Sequence, residues 1–137
     1  MDYDTPPRVP PLREIPHYHG DAVRALLVVM AVVLIVGTGM GAELPLAALG
    51  SVAFAVVLVL AAGITNPVQR WIHWLNAALA GIGAALFGNS AVSWYRTGQV
   101  VGDPTSFVFA LALALISLVT LYLTTRTIRG MMLRESR

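Results

Sequence analysis

From Ala22 to Thr125 the chain carries only five charged residues, and none stands in the middle of an apolar run. Four such runs fill this region: Ala22 to about Gly37, Pro45 to Ile64, Val68 to Tyr95, and Thr105 to Thr125. Roughly 20 apolar residues match the hydrocarbon thickness of a bilayer. In lipid the backbone finds no water, so each run must satisfy its own hydrogen bonds, which a helix does. Composition agrees, with 57% hydrophobic and 12% charged residues, where soluble domains carry about 25% charged. The expected fold is all-α, an integral membrane four-helix bundle. The helices are expected at about 22–40, 45–64, 67–95 and 105–128, within a transmembrane domain spanning 21–129.

The segments outside the runs are of two kinds. Residues 1–20 are proline-rich and polar, which disfavours helix and sheet and predicts an extended tail. Pro7-x-x-Pro10 and the His17/His19 pair in this tail are read as parts of a solvated segment. Its acidic opening, Met1-Asp2-Tyr3-Asp4, is unlike a secretory signal, so the first apolar run is expected to be an uncleaved anchor. Residues 130–137 form a short basic tail. No cysteine is present, which excludes disulfides and thiolate metal sites, and all nine basic side chains are arginine.

Start signals precede each helix. Asp21 is an acceptable cap for the first, with Arg24 one turn inside and able to extend its head to the interface. Pro45 suits the first position of the second helix, since that N–H has no intrahelical partner. Asn66, Pro67 and Gln69 read as cap, first position and capping-box partner of the third. Asp103 and Pro104 repeat the cap-and-proline pattern for the fourth. Thr38-Gly39-x5-Pro45 and Thr97-Gly98-x5-Pro104 share their spacing and suggest two duplicated helical hairpins.

The third run is long, about 42 Å from Val68 to Tyr95 at 1.5 Å per residue, so it must tilt or project. Trp71 and Trp74 mark one interface, Trp94 and Tyr95 the other. On a helical wheel Leu75, Leu79, Ile82 and Leu86 fall on a bulky face. His73, Ala77, Ala80, Gly81, Ala84 and Gly88 fall on the opposite face, where small residues let backbones approach.

Four spans place both termini and the Asn66 turn on one side. That side collects eight arginines and the other has Arg96 alone. Arginine excess marks the cytoplasm, so both termini are expected there, in a cytoplasmic (inner) membrane. The target of these dispersed arginines is anionic lipid headgroups, not nucleic acid.

No Asp or Glu lies inside a span, so a proton relay or carboxylate ion site lacks its residues. There is no nucleophile with a base, no phosphate loop and no metal triad, so a non-enzymatic protein is expected. Two polar constellations stand out. Arg70, His73 and Asn76 are one turn apart near the cytoplasmic interface. They suit hydrogen bonds to neighbouring helix ends with Arg70 on phosphates, or, less favoured, a haem or chlorophyll-type ring on His73. Ser117, Thr120, Thr124 and Thr127 form a stripe on the fourth helix, which suits back-bonding to the preceding turn or the lining of an oligomeric pore.

The segment Arg70-Trp71-x-x-Trp74-x-Asn76 resembles the repeat opening of the SPW-repeat family of small bacterial membrane proteins, although the Ser-Pro-Trp signature itself is absent. The resemblance implies a short multi-span architecture built from two-helix units. The reading that follows is a small tetraspan protein acting as a homo-oligomer or as an accessory subunit, packed through the Ala/Gly face of helix 3. An oligomeric channel lined by Ser117, Thr120 and Thr124 is the alternative.

Overall fold

The computed structural model describes residues 18–136, which form α1 (Gly20–Gly39), α2 (Ala48–Ile64), α3 (Arg70–Arg96), a 3-10 turn at Gln99–Val101, and α4 (Pro104–Glu135). No strand occurs among the described residues. Most of the proline-rich tail, with Pro7-x-x-Pro10 and His17, lies outside them. Helices α1, α3 and α4 are long and apolar enough to cross a membrane, and α2 is apolar but has only 17 residues.

The helix boundaries separate effective start signals from ineffective ones. Asp103 caps α4 as expected: its carboxylate accepts from the Ser106 backbone N–H at 3.1 Å, and Pro104 follows at the first position. The Asn66 cap does not form. Its Oδ1 accepts instead from the Val68 N–H, two residues on, at 3.0 Å, and α3 begins only at Arg70. Asn66 closes a local turn onto its own neighbours, a conformation that competes with helix initiation. Likewise Pro45 lies three residues ahead of α2, and His19 rather than Asp21 holds the N-cap position of α1. Asp21 sits in the first turn, where negative charge complements the helix dipole. At the far end α4 runs on to Glu135, so residues 130–135 belong to the helix rather than to a separate tail.

The two matched turns differ in geometry. After α1 the left-handed residue is Gly41, at φ 81°, with Gly41 N–H to Thr38 O at 3.1 Å and Ala42 N–H to Gly37 O at 2.9 Å. This pair of bonds takes up two free carbonyls of the helix end. After α3 the left-handed residue is Gly98, at φ 73°, which corresponds in the repeat to Gly39, not Gly41. The shared Thr-Gly-x5-Pro spacing therefore does not encode a shared turn.

Helix α1 packs on α2 and on α4, and α4 packs on α3; α2 and α3 touch more lightly, and α1 scarcely meets α3, nor α2 α4. The core is a stripe of Val23, Leu27, Met30 and Leu34 from α1, met by Leu58 of α2, Phe87 of α3 and Leu113 of α4. Two glycines set the closest approaches between helices. A Cβ on Gly37 would lie 2.9 Å from the Phe109 ring, and one on Gly83 would lie 2.6 Å from Ser117 Oγ. The outward faces carry Val32, Val56, Leu60, Leu115 and Leu118, all exposed. Apolar surface on this scale is what a lipid-facing bundle presents.

The buried face of α3 is rotated from the one expected. Ile72, His73, Asn76, Leu79, Ala80, Gly83, Phe87 and Ala91 are buried. Leu79, assigned to the opposite face, is in the core, whereas Ile82 from that same face is exposed. Of the expected packing face, His73 and Ala80 are buried, while Ala77, Gly81, Ala84 and Gly88 are half-buried. The bulk of Leu79 and Phe87 fills the core, and Gly83 supplies the close approach to α4 that Gly81 was expected to give.

Candidate functional site

At the end of the bundle that carries both ends of the described chain, buried polar groups gather from every helix. Asn76, fully buried, donates through Nδ2 to Thr65 Oγ1 at 2.9 Å, and Thr65 donates to the Ala61 carbonyl at 2.7 Å. The Thr65 proton is thus committed to Ala61, so Thr65 accepts from Asn76 and the amide orientation is fixed. His73, one turn earlier on α3, is buried beside Asn76. Tyr18 packs edge-on against the imidazole, with ring centroids 6.0 Å apart. His19 donates its backbone N–H to Thr127 Oγ1 at 3.2 Å, which ties the entry to α1 onto α4. Arg24 Nε donates to the Ala62 carbonyl at 3.1 Å, near the end of α2. There a cation complements the free carbonyls of a helix C-terminus. Burial, with the Asp21 charge second, pushes the Tyr18 phenol above its ordinary value, and Arg24 partly opposes this.

Of the expected cluster, the fold thus brings His73 and Asn76 together inside and leaves Arg70 exposed. Sequence reasoning missed Thr65 and Tyr18. The available signal was the position of Thr65 in the last turn before the Asn66 break, where a hydroxyl can bridge two helices. A haem or chlorophyll-type ring on His73 does not fit: Nε2 is covered by protein and the ring has no open face for a macrocycle. No cluster of three or more His, Cys, Asp or Glu side chains exists among the described residues.

The hydroxyl stripe of α4 is spent inside the bundle. Ser117, Thr120 and Thr124 are fully buried, and each donates to the carbonyl four residues earlier at 2.7 Å. Thr127 does the same at 3.0 Å. Ser117 also lies 3.3 Å from Met30 Sδ. These groups point into the bundle, with Ser117 set between Met30 of α1 and Gly83 of α3. The back-bonding expectation holds for all four hydroxyls.

At the opposite end, Glu43 donates its backbone N–H to Ser106 Oγ at 2.7 Å, and the Ser106 hydroxyl donates to the Asp103 carboxylate. This chain links the α1–α2 turn to the start of α4. The Ser106 side chain and backbone hold the Asp103 carboxyl below the usual carboxylate range. Between α1 and α2 an open groove of about 430 Å³ is lined only by apolar side chains such as Val36, Val52 and Leu60. It offers no polar group for chemistry.

No protein-family model matches the chain, and neither do the curated proteins or the solved structures with which it was compared.

Proposed function

We propose that this chain is a non-enzymatic four-helix protein of the inner membrane that self-associates through the open ridge of α3. The observation that carries this reading is the pair Gly81 and Gly88, where a Cβ would meet nothing within 4 Å. A glycine inside a helix costs about 1 kcal/mol relative to alanine. At Gly83 and Gly37 a neighbouring helix uses the space, but at Gly81 and Gly88 no part of the described chain does. With Ala77 and Ala84 they form a continuous ridge of small side chains, the surface on which two membrane helices approach closely. A second copy of this chain is the favoured partner, and an accessory role beside another membrane subunit is the alternative.

Both termini lie in the cytoplasm in this reading. Arg24, Arg70, Arg126, Arg129 and Arg134 sit at one end, with Arg8, Arg13 and Arg137 beyond the described residues, and Arg96 is alone at the other. Anionic headgroups are the partners of this arginine-rich rim. The likeness of Arg70-Trp71-x-x-Trp74-x-Asn76 to the SPW repeat supports the same architecture. In it Asn76 fastens α3 to α2 while the two exposed tryptophans, Trp71 and Trp74, sit at the membrane interface.

Native mass measurement and intramembrane cross-linking in mild detergent test the association. Wild type is expected to be oligomeric, and Gly81→Leu with Gly88→Leu to lose at least tenfold in association, since 1.4 kcal/mol suffices for that. A monomer at every protein-to-detergent ratio, or an oligomer indifferent to both substitutions, would overturn the proposal.

A further inference from the structure

The groove of about 430 Å³ between α1 and α2 is walled only by apolar side chains, among them Val32, Ile35, Val56 and Leu60. What sets it apart from the other apolar surface is the end it leads to. Arg24, Val28, Val32 and Ile35 follow one another at spacings of four and three, which puts them on one face of α1. On α2, Val56, Leu60 and Gly63 do the same. The groove is thus continued by Arg24 on one wall and by Gly63 on the other, where a Cβ would meet nothing within 4 Å.

Arg24 bridges the two walls at this mouth, since its Nε donates to the Ala62 carbonyl, next to Gly63, at 3.1 Å. That bond uses one of the five guanidinium donors and holds the fork in place. The donors on the two terminal nitrogens remain, and the side chain is half exposed. Asp21 approaches Nη1 only to 4.0 Å, too long for a hydrogen bond, and is itself almost wholly exposed. Such a pair is weak enough for a better anion to displace. Depth matches as well. The groove residues Ala31 to Val36 lie roughly 10–18 Å along α1 from Arg24 at 1.5 Å per residue. One leaflet of hydrocarbon is about 15 Å, half of the full layer.

We propose that the groove holds one acyl chain of an anionic phospholipid whose phosphate sits on the Arg24 fork above Gly63. The apolar walls take the chain, and the planar fork matches two phosphate oxygens. Arginine excess at this end of the bundle favours a net negative headgroup over a zwitterionic one. The site rests on the membrane reading above but not on association through α3, because it is built from α1 and α2.

Native mass measurement of the full chain, with phosphatidylglycerol or phosphatidylcholine of matched chains added in detergent, counts the lipids held by each monomer. Wild type is expected to retain one phosphatidylglycerol, roughly fivefold more tightly than phosphatidylcholine. Arg24→Gln should abolish that preference. Val32→Phe with Val56→Phe fills the groove from two exposed positions and should weaken retention of either lipid about tenfold. Leu118→Phe, exposed on α4, should change neither. Equal retention of the two lipids by wild type, or a preference that survives Arg24→Gln, would overturn the proposal. Retention indifferent to both groove substitutions would do so too. A groove variant that loses its oligomer but keeps its lipid would make a second copy of the chain the occupant, against the proposal. A monomeric wild type that still holds one phosphatidylglycerol would remove association through α3 and support the lipid site.

Discussion

Gly81 and Gly83 stand two residues apart in one helix, and the structure assigns them opposite responses to the same substitution. In Gly83→Ala the new methyl would lie 2.6 Å from Ser117 Oγ and 3.2 Å from Met30 Cε. The thioether end can yield, but the serine hydroxyl is held by the Leu113 carbonyl at 2.7 Å and is fully buried. Overpacking of this kind costs about 1–3 kcal/mol, and displacing the hydroxyl adds roughly 1. The gain in helix propensity is about 1 kcal/mol. The net expectation is a loss of about 1–3 kcal/mol. Gly81→Ala meets nothing within 4 Å and should be neutral or stabilising by up to about 1 kcal/mol. Reversible unfolding in mixed detergent–SDS micelles, followed by tryptophan fluorescence under monomeric conditions, gives both numbers. Ser117→Ala removes the clashing oxygen and leaves the serine Cβ at an ordinary 3.4 Å. The double variant Gly83→Ala/Ser117→Ala should therefore recover at least half of the loss. If Gly83→Ala is as well tolerated as Gly81→Ala, or if Ser117→Ala gives no relief, then α3 and α4 do not meet at this point.

Two further expectations rest on the ends of the bundle. Thr65→Val leaves the buried Asn76 amide without its acceptor and should cost about 1–3 kcal/mol; Thr65→Val/Asn76→Leu, with both partners apolar, should cost less than the two single losses added together, and the same unfolding assay decides. The Asp103 carboxyl is depressed first by the Ser106 hydroxyl and then by the Ser106 backbone N–H, so its contribution to stability is complete above the ordinary carboxylate value of 3.8 and is lost as pH falls through the lower folded value. Thermal unfolding by circular dichroism should show that acid loss in wild type and not in Asp103→Asn, and identical acid profiles would remove Asp103 from the cap.

The helix count, their order and the Asp103 start were legible because they follow from local signals: runs without charge, and a cap whose only competitor is solvent. The Asn66 start was not, because the same side chain can cap a helix or close a turn. Here it closes the turn, onto the Val68 N–H. The face of α3 was misplaced for a related reason. A wheel sorts residues by size, and small ones suggest contact, but in this bundle the volume between helices is filled by Leu79 and Phe87. Of the α3 glycines, only Gly83, opposite Ser117, is pressed upon. The Arg70/His73/Asn76 group was visible as polar residues in an apolar run. That Thr65 would complete it could not be seen without knowing that the end of α2 abuts the start of α3.

The unequal lengths of the helices bear on the membrane itself. Seventeen residues of α2 rise roughly 25 Å, short of a hydrocarbon layer of about 30 Å, whereas the 32 residues of α4 rise roughly 48 Å. In the proposed four-span arrangement, the flank carrying α2 would ask the bilayer to thin while the flank carrying α4 would tolerate a thick one. Such a wedge perturbs the lipid around it unevenly, and bringing thin flanks together reduces the perimeter of strained bilayer. The bilayer would then favour some lateral arrangements of the bundle over others even where no side chains touch.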